Sequence, residues 1–153
     1  MARTSNLVIH GTLGNPPLRI LTLSISDSIL RAIDSPDYVL EVRMPLFSKA
    51  RPRLTRSGHA YMPQTYKDAQ AEMRRQLTKQ WSEEPLSGPI ALHLCVHGEA
   101  RGDSDNIAGA LMDAANGILW TDDRVSIIST LVVEWFKASK AESRWIIKIA
   151  ELA

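Results

Sequence analysis

Apolar and polar residues alternate from Tyr38 to Met44 ("YVLEVRM"), and this period of two predicts a strand that ends at Pro45. The proline-bearing stretch 45–60 that follows reads as a loop or an extended hairpin. From Thr65 the period changes. Ala69, Met73, Leu77 and Trp81 recur every fourth residue, which predicts a helix over 65–81 with Thr65 as its cap. "EEPLSGP" breaks that helix, and "IALHLCVH" (90–97) is a second strand. Ile107, Ala110, Leu111 and Ala114 fall at i, i+3, i+4 and i+7, giving a short helix from about Asn106 to Asn116 that stops at Gly117. Asp122 and Asp123 form a turn, and "RVSIISTLVVEW" and "RWIIKIAEL" are strands separated by "KASKAES". The order from Tyr38 is β-α-β-α-β-β: an α/β or α+β domain with a small mixed sheet and two main helices.

Residues 1–37 stand apart as an N-terminal extension, leaving 38–153 as the domain. "NLVIHGTL" and "LRILTLSIS" are candidate short strands and "DSILRAID" one or two helical turns, with breakers at Asn15-Pro16-Pro17 and Ser35-Pro36-Asp37.

Composition narrows the class. A chain of 153 residues is one ordinary domain with room for a core. The single cysteine, Cys95, excludes an intrachain disulfide and fits a reducing cytoplasm; inside an apolar strand it reads as a packing residue. No stretch approaches the roughly 20 apolar residues of a membrane span, and the N-terminus lacks a secretory pattern, so a cytoplasmic protein is expected. His93 and His97 read as sheet residues, and Arg74, Arg75 and Lys79 as solvent-facing. The four tryptophans read as core or dimer-interface anchors, with Trp120 packing the turn at Asp123.

Net charge is only +1, but its distribution is uneven. Between Arg43 and Arg56 stand five basic residues and no acidic one, which makes Lys49, Arg51, Arg53 and Arg56 candidates for phosphate contact. Opposite in sign is "GDSDNIAGALMDAANGILWTDDRV" (102–125), which holds five of the seventeen acidic groups. An aspartate at a helix start, such as Asp105, is commonly an N-cap, and an Asp pair suits a turn. Asp103 has no such use. A short return through Ile118–Trp120 would bring Asp122 and Asp123 beside the helix start, where crowded carboxylates repel one another unless a cation compensates. Hard oxygen donors of this kind suit Mg²⁺ or Mn²⁺ and phosphodiester chemistry. A calcium-loop reading of "DSDNIAG" fails, because Ile107 and Ala114 stand where oxygen ligands are required.

With these residues in view, "DSDN…LMDAANGILWTDDRV" resembles the signature of RusA-type Holliday-junction resolvases, and "KARPRLTRSGHAYMPQTYKDAQ" is similar to a segment common in phage members. The likeness spans roughly residues 38 to 150. It implies a homodimeric, Mg²⁺-dependent endonuclease that nicks opposed strands of a four-way DNA junction during recombination and repair. Asp103, Asp105 and Asp123 would be its catalytic, metal-binding aspartates, Asp122 a neighbouring ligand, and Asp113 part of the helix pattern without a ligand role. A branched-DNA-binding module without activity, and a nuclease for other branched DNA in phage replication or packaging, are the alternatives. The chain departs from the family in having Arg101-Gly102 before the first aspartate and Gly109 where a lysine is usual. Lys49 or Arg51, arriving from the basic loop, is the candidate for the charge missing at Gly109.

Overall fold

The structure, a computed structural model, describes residues 26–99 and 101–152. In chain order the elements are α1 (Asp27–Asp34), β1 (Tyr38–Val42), β2 (Arg53–Leu54), β3 (Ala60–Tyr61), α2 (Gln64–Gln80), β4 (Ile90–Gly98), α3 (Ser104–Ala115), β5 (Ile128–Lys137), a 3-10 turn (Lys140–Glu142) and β6 (Arg144–Glu151). The mixed α+β class and the order of main elements are those predicted, and β2 with β3 makes the 45–60 stretch a small hairpin. The candidate strands within 6–25 lie outside the described residues. No helix among the described residues is long and apolar enough to cross a membrane.

Four strands form one sheet in the order β1-β6-β4-β5, with β4 and β5 parallel and the other pairs antiparallel. A parallel pair needs a crossover, and α3 provides it. β4 is covered on both sides, which is why it reads as an apolar run rather than an alternation. Its Ile90, Leu92, Leu94 and Val96 join Ile107, Leu111 and Ala114 of α3 and Met73 and Leu77 of α2 in the main core, together with the fully buried Trp120 and Trp145. Truncating one of these large side chains to alanine removes roughly 2–5 kcal/mol, for lost burial and for the cavity left behind. The intervening residues of β4 face the other way. There Ala91 packs with Ala150 and with Ala32 of α1. α1 lies within the 1–37 segment set apart by sequence, and it is docked on the sheet, with Arg31 paired to Asp37 at 2.9 Å.

The outer edge of β1 is occupied by side-chain amides from α2. Gln80 donates to the Glu41 carbonyl at 2.8 Å and accepts from the Glu41 N–H at 3.2 Å. Gln76 does the same for Arg43, at 3.0 and 2.9 Å. Backbone groups that an edge strand would expose are thereby satisfied within the chain.

Several boundaries differ from expectation. α2 begins at Gln64 with Pro63 at its N-cap, rather than at Thr65. α3 begins at Ser104, so Asp103 rather than Asp105 is its N-cap residue, although the Asp103 side chain makes no capping bond. The turn before β5 is closed by Arg124, whose carbonyl accepts from Ile127 and Ile128, and the strand starts at Ile128.

Candidate active site

Between β1 and β2 the basic loop lies against α3. The Lys49 N–H donates to the Asn106 carbonyl at 2.8 Å. Two glycines of the acidic segment make room for this contact. Gly102 has φ +75°, and a Cβ there would stand 2.9 Å from Ser48 Cβ, so both the turn and the close approach require glycine. Gly109 lies under the Lys49 stem: a Cβ at 109 would meet only Lys49 Cδ, at 3.5 Å. From there the Lys49 ammonium reaches Asp113 Oδ2 at 2.9 Å. Of the two basic-loop residues named from the sequence, Lys49 is the one whose stem lies over Gly109.

The Asp113 carboxylate holds the Lys49 ammonium above its ordinary pKa against the opposing effect of partial burial, and Asp123 is near enough to add to the rise. With Lys49 about half exposed, such a pair stabilises the fold by at most about 1 kcal/mol. Its contribution is position: a fixed cation on the α3 surface, between Asp113 and the reach of Asp123.

The return from α3 is set by Trp120. Its indole N–H donates to the Met112 carbonyl at 3.4 Å, and Gly117 N–H donates to the Trp120 carbonyl at 2.7 Å. Buried Trp120 thus pins the chain beside the C-terminal half of α3. Arg74 closes the same helix end, donating to the carbonyls of Ala114 at 2.6 Å and Asn116 at 3.1 Å. A cation there is favoured by the helix dipole; sequence alone left Arg74 as a solvent-facing residue. Three residues beyond Trp120, Asp123 lies near enough to the Lys49 ammonium to act on its charge.

The four aspartates differ in their commitments. Asp103 is exposed and accepts weakly from the Asn106 amide at 3.4 Å. Asp105, exposed in the first turn of α3, makes no side-chain hydrogen bond or ion pair to a described residue, and the same holds for the Asp123 carboxylate. Asp122 is engaged on both oxygens. Oδ2 accepts from Arg124 Nε at 2.7 Å and Oδ1 from the Asp123 N–H at 2.8 Å, and the Arg124 bond leads in holding this carboxyl below its usual pKa. Asp122 shapes the turn that presents Asp123. Among the described residues, the one trio of His, Cys, Asp or Glu donors lying within 4.8 Å of each other is His93, Cys95 and Glu134. The structure therefore does not bring Asp103, Asp105 and Asp123 that close to one another, contrary to the expectation from sequence.

Arg51, Arg53 and Arg56 lie on the exposed hairpin approach, strand and tip, and none is paired with a described carboxylate. Beside the loop is a cleft lined by Pro45, Leu46, Thr65, Glu99, Arg101, Lys140 and Ser143, in which Arg101 is paired with Glu99 at 3.1 Å and Lys140 is a cation that the sequence did not single out.

No curated protein matches this chain. A family model does: the model described as endodeoxyribonuclease RusA matches residues 44–150, well over half of the length, and takes in the basic loop, α3 and the aspartate turn. The chain belongs to the RusA endodeoxyribonuclease family.

Proposed function

We propose that the protein is a divalent-metal-dependent endodeoxyribonuclease that resolves four-way (Holliday) junctions by paired nicks, acting as a homodimer in DNA recombination and repair. The observation that carries this reading is the docking of the basic loop on α3, which sets Lys49 among the carboxylates of the acidic segment. Two symmetric nicks need two sites, and a two-fold dimer of this chain supplies them.

Carboxylate oxygens are the donor chemistry a hard cation takes, and Asp103, Asp105 and Asp123 are near the surface, the last two free of protein partners among the described residues, so an ion would draw together side chains that stand apart without it. These three, with Asp122 beside them, would hold Mg²⁺ or Mn²⁺. The chemistry such an ion supplies when bound is charge neutralisation at the phosphoryl group and a more acidic attacking water. The rest falls to the chain. Lys49, already held over Gly109, offers its ammonium to the phosphate being cut, exchanging Asp113 for a phosphate oxygen. Arg51, Arg53 and Arg56 hold flanking phosphates, and the Asp122–Arg124 pair keeps the Asp123 turn in shape.

Incubation with a labelled four-way junction, in Mg²⁺ and in EDTA, tests this reading beside flap and linear duplex substrates. Symmetric nicking of the junction in Mg²⁺ alone is expected. Binding without cleavage in either Mg²⁺ or Mn²⁺ would make the protein a junction-binding module, and preferential flap cleavage would make it a nuclease for other branched DNA. Replacing Arg51 and Arg53 with alanine is expected to weaken junction binding and lower the slope of log affinity against log salt by about 0.9 per lost contact. A gel-shift salt titration measures it, and an unchanged slope would return both arginines to an ordinary solvated hairpin.

A further inference from the structure

The sheet face turned away from α2 and α3 carries its own group of donor atoms. His93 and Cys95 stand two residues apart on β4 and so share that face, and Glu134 of β5 is the register partner of Cys95. His93 Nε2 is 2.6 Å from Glu134 Oε1 and 3.3 Å from Cys95 Sγ. His93 is 2% and Cys95 7% exposed, while the Glu134 side chain is 48% exposed, so the group opens to solvent on the glutamate side.

Two simpler readings leave part of this unexplained. A nucleophile relay would place the thiol on one ring nitrogen and the carboxylate on the other. Here both meet Nε2, and the buried Nδ1 has no partner among the described residues. A plain hydrogen bond from His93 to Glu134 uses the one proton that a neutral ring carries at Nε2, and leaves the thiol at the same point without a role. A tetrahedral ion with bonds of about 2.0–2.3 Å has ligand-to-ligand edges of roughly 3.3–3.8 Å. The Nε2–Sγ separation already has that length. Opening the Nε2–Oε1 contact by somewhat under 1 Å asks only for a rotation of the exposed glutamate.

We propose that His93, Cys95 and Glu134 form a second metal site, for a zinc-type divalent transition ion, with its fourth position open to solvent. Imidazole and thiolate donors select such ions over Mg²⁺, so this site and the aspartates take different metals. Its charges balance, since thiolate and carboxylate together offset the two positive charges of the ion. Burial pushes the Cys95 thiol above its ordinary pKa, opposed by Lys148 and reinforced by Glu134, so loading displaces the thiol proton to water. The ion would tie β4 to β5, the sheet's parallel pair.

Cobalt is the probe. Titrating the full chain with Co²⁺ in metal-free buffer is expected to raise a thiolate-to-cobalt charge-transfer absorption that saturates at one ion per chain and is abolished by Zn²⁺. Aspartates cannot produce this band, and Cys95 is the chain's sole cysteine. Cys95→Ser is expected to lose the band, with circular dichroism reporting its fold. The surface change Glu134→Gln, which leaves the core untouched, is expected to weaken Co²⁺ binding at least tenfold. No band at excess Co²⁺, or an affinity unchanged by Glu134→Gln, would overturn the proposal. Neither outcome depends on nuclease activity, so failure here leaves the reading of the aspartate site standing.

Discussion

Asparagine at Asp103, Asp105 or Asp123 is expected to leave a protein that binds a four-way junction at least as tightly as before and no longer cuts it. Each exchange keeps the size of the side chain and removes one negative charge. An ion held by three carboxylates loses a ligand, and the several kcal/mol of transition-state stabilisation it provides correspond to a rate lower by roughly 10²–10⁴-fold. Binding moves the other way, because a charge that repels the DNA phosphates is gone. The fold is not at risk, since Asp103 and Asp105 are exposed and neither has a strong protein partner. Asp122→Asn should behave differently. It weakens the bond to Arg124 and loosens the turn, so a smaller loss of rate with a small loss of stability is expected. Single-turnover cleavage beside a gel shift measures both quantities, and wild-type nicking by any of the three variants would remove that residue from the site.

Lys49→Ala is expected to lower the single-turnover rate by about 10²-fold while changing junction affinity only a few-fold. A cation fixed against the reacting phosphate acts mainly on charge that develops in the transition state, whereas it is one of several phosphate contacts in binding. Gly109→Lys in that background supplies a test internal to the site. With the Lys49 stem gone, the space over Gly109 is open, because Lys49 Cδ is all that a Cβ there would touch. A lysine at 109 also relieves the roughly 1 kcal/mol that glycine costs a helix. The double variant should therefore melt no lower than Lys49→Ala alone and recover part of the rate. If it is stable and recovers nothing, Lys49 does not act as the site's cation.

Much of this was legible in the chain. Alternation marked β1 and helical spacing marked α2 and α3, because each buries one face, while β4, buried on both, was marked by a continuous apolar run. The spacing of Asp103, Asp105 and Asp123 marked them as the metal ligands proposed above. What sequence could not give was whatever depends on side chains from distant segments. Arg74 is exposed, as read, but nothing local shows that the α3 C-terminus lies within its reach. Cys95 and His93 are buried strand residues, as read, but their approach to Glu134 was out of reach, because Glu134 sits 39 residues beyond Cys95 on a strand whose register is set by the crossover. Gly109 was the most informative departure. As a missing lysine it pointed to a deficit, and as a gap it shows where the Lys49 stem lies. Asp105 was misplaced as the N-cap by two residues because Asp103 and Asp105 suit that position equally well.

The two glutamines of α2 also decide how copies of this sheet can add to one another. Strand addition needs an edge with free backbone donors and acceptors, and Gln76 and Gln80 have taken those of Arg43 and Glu41. The opposite edge, β5, is ten residues long and carries exposed Leu131, Trp135 and Phe136. Among the described residues no strand lies beside that edge, and a sheet with one blocked margin cannot propagate. If two β5 strands meet, both remaining margins of the joined sheet are β1, both are blocked, and growth halts at a pair. Replacing Gln76 and Gln80 would remove that stop and give the chain a route toward open-ended fibres.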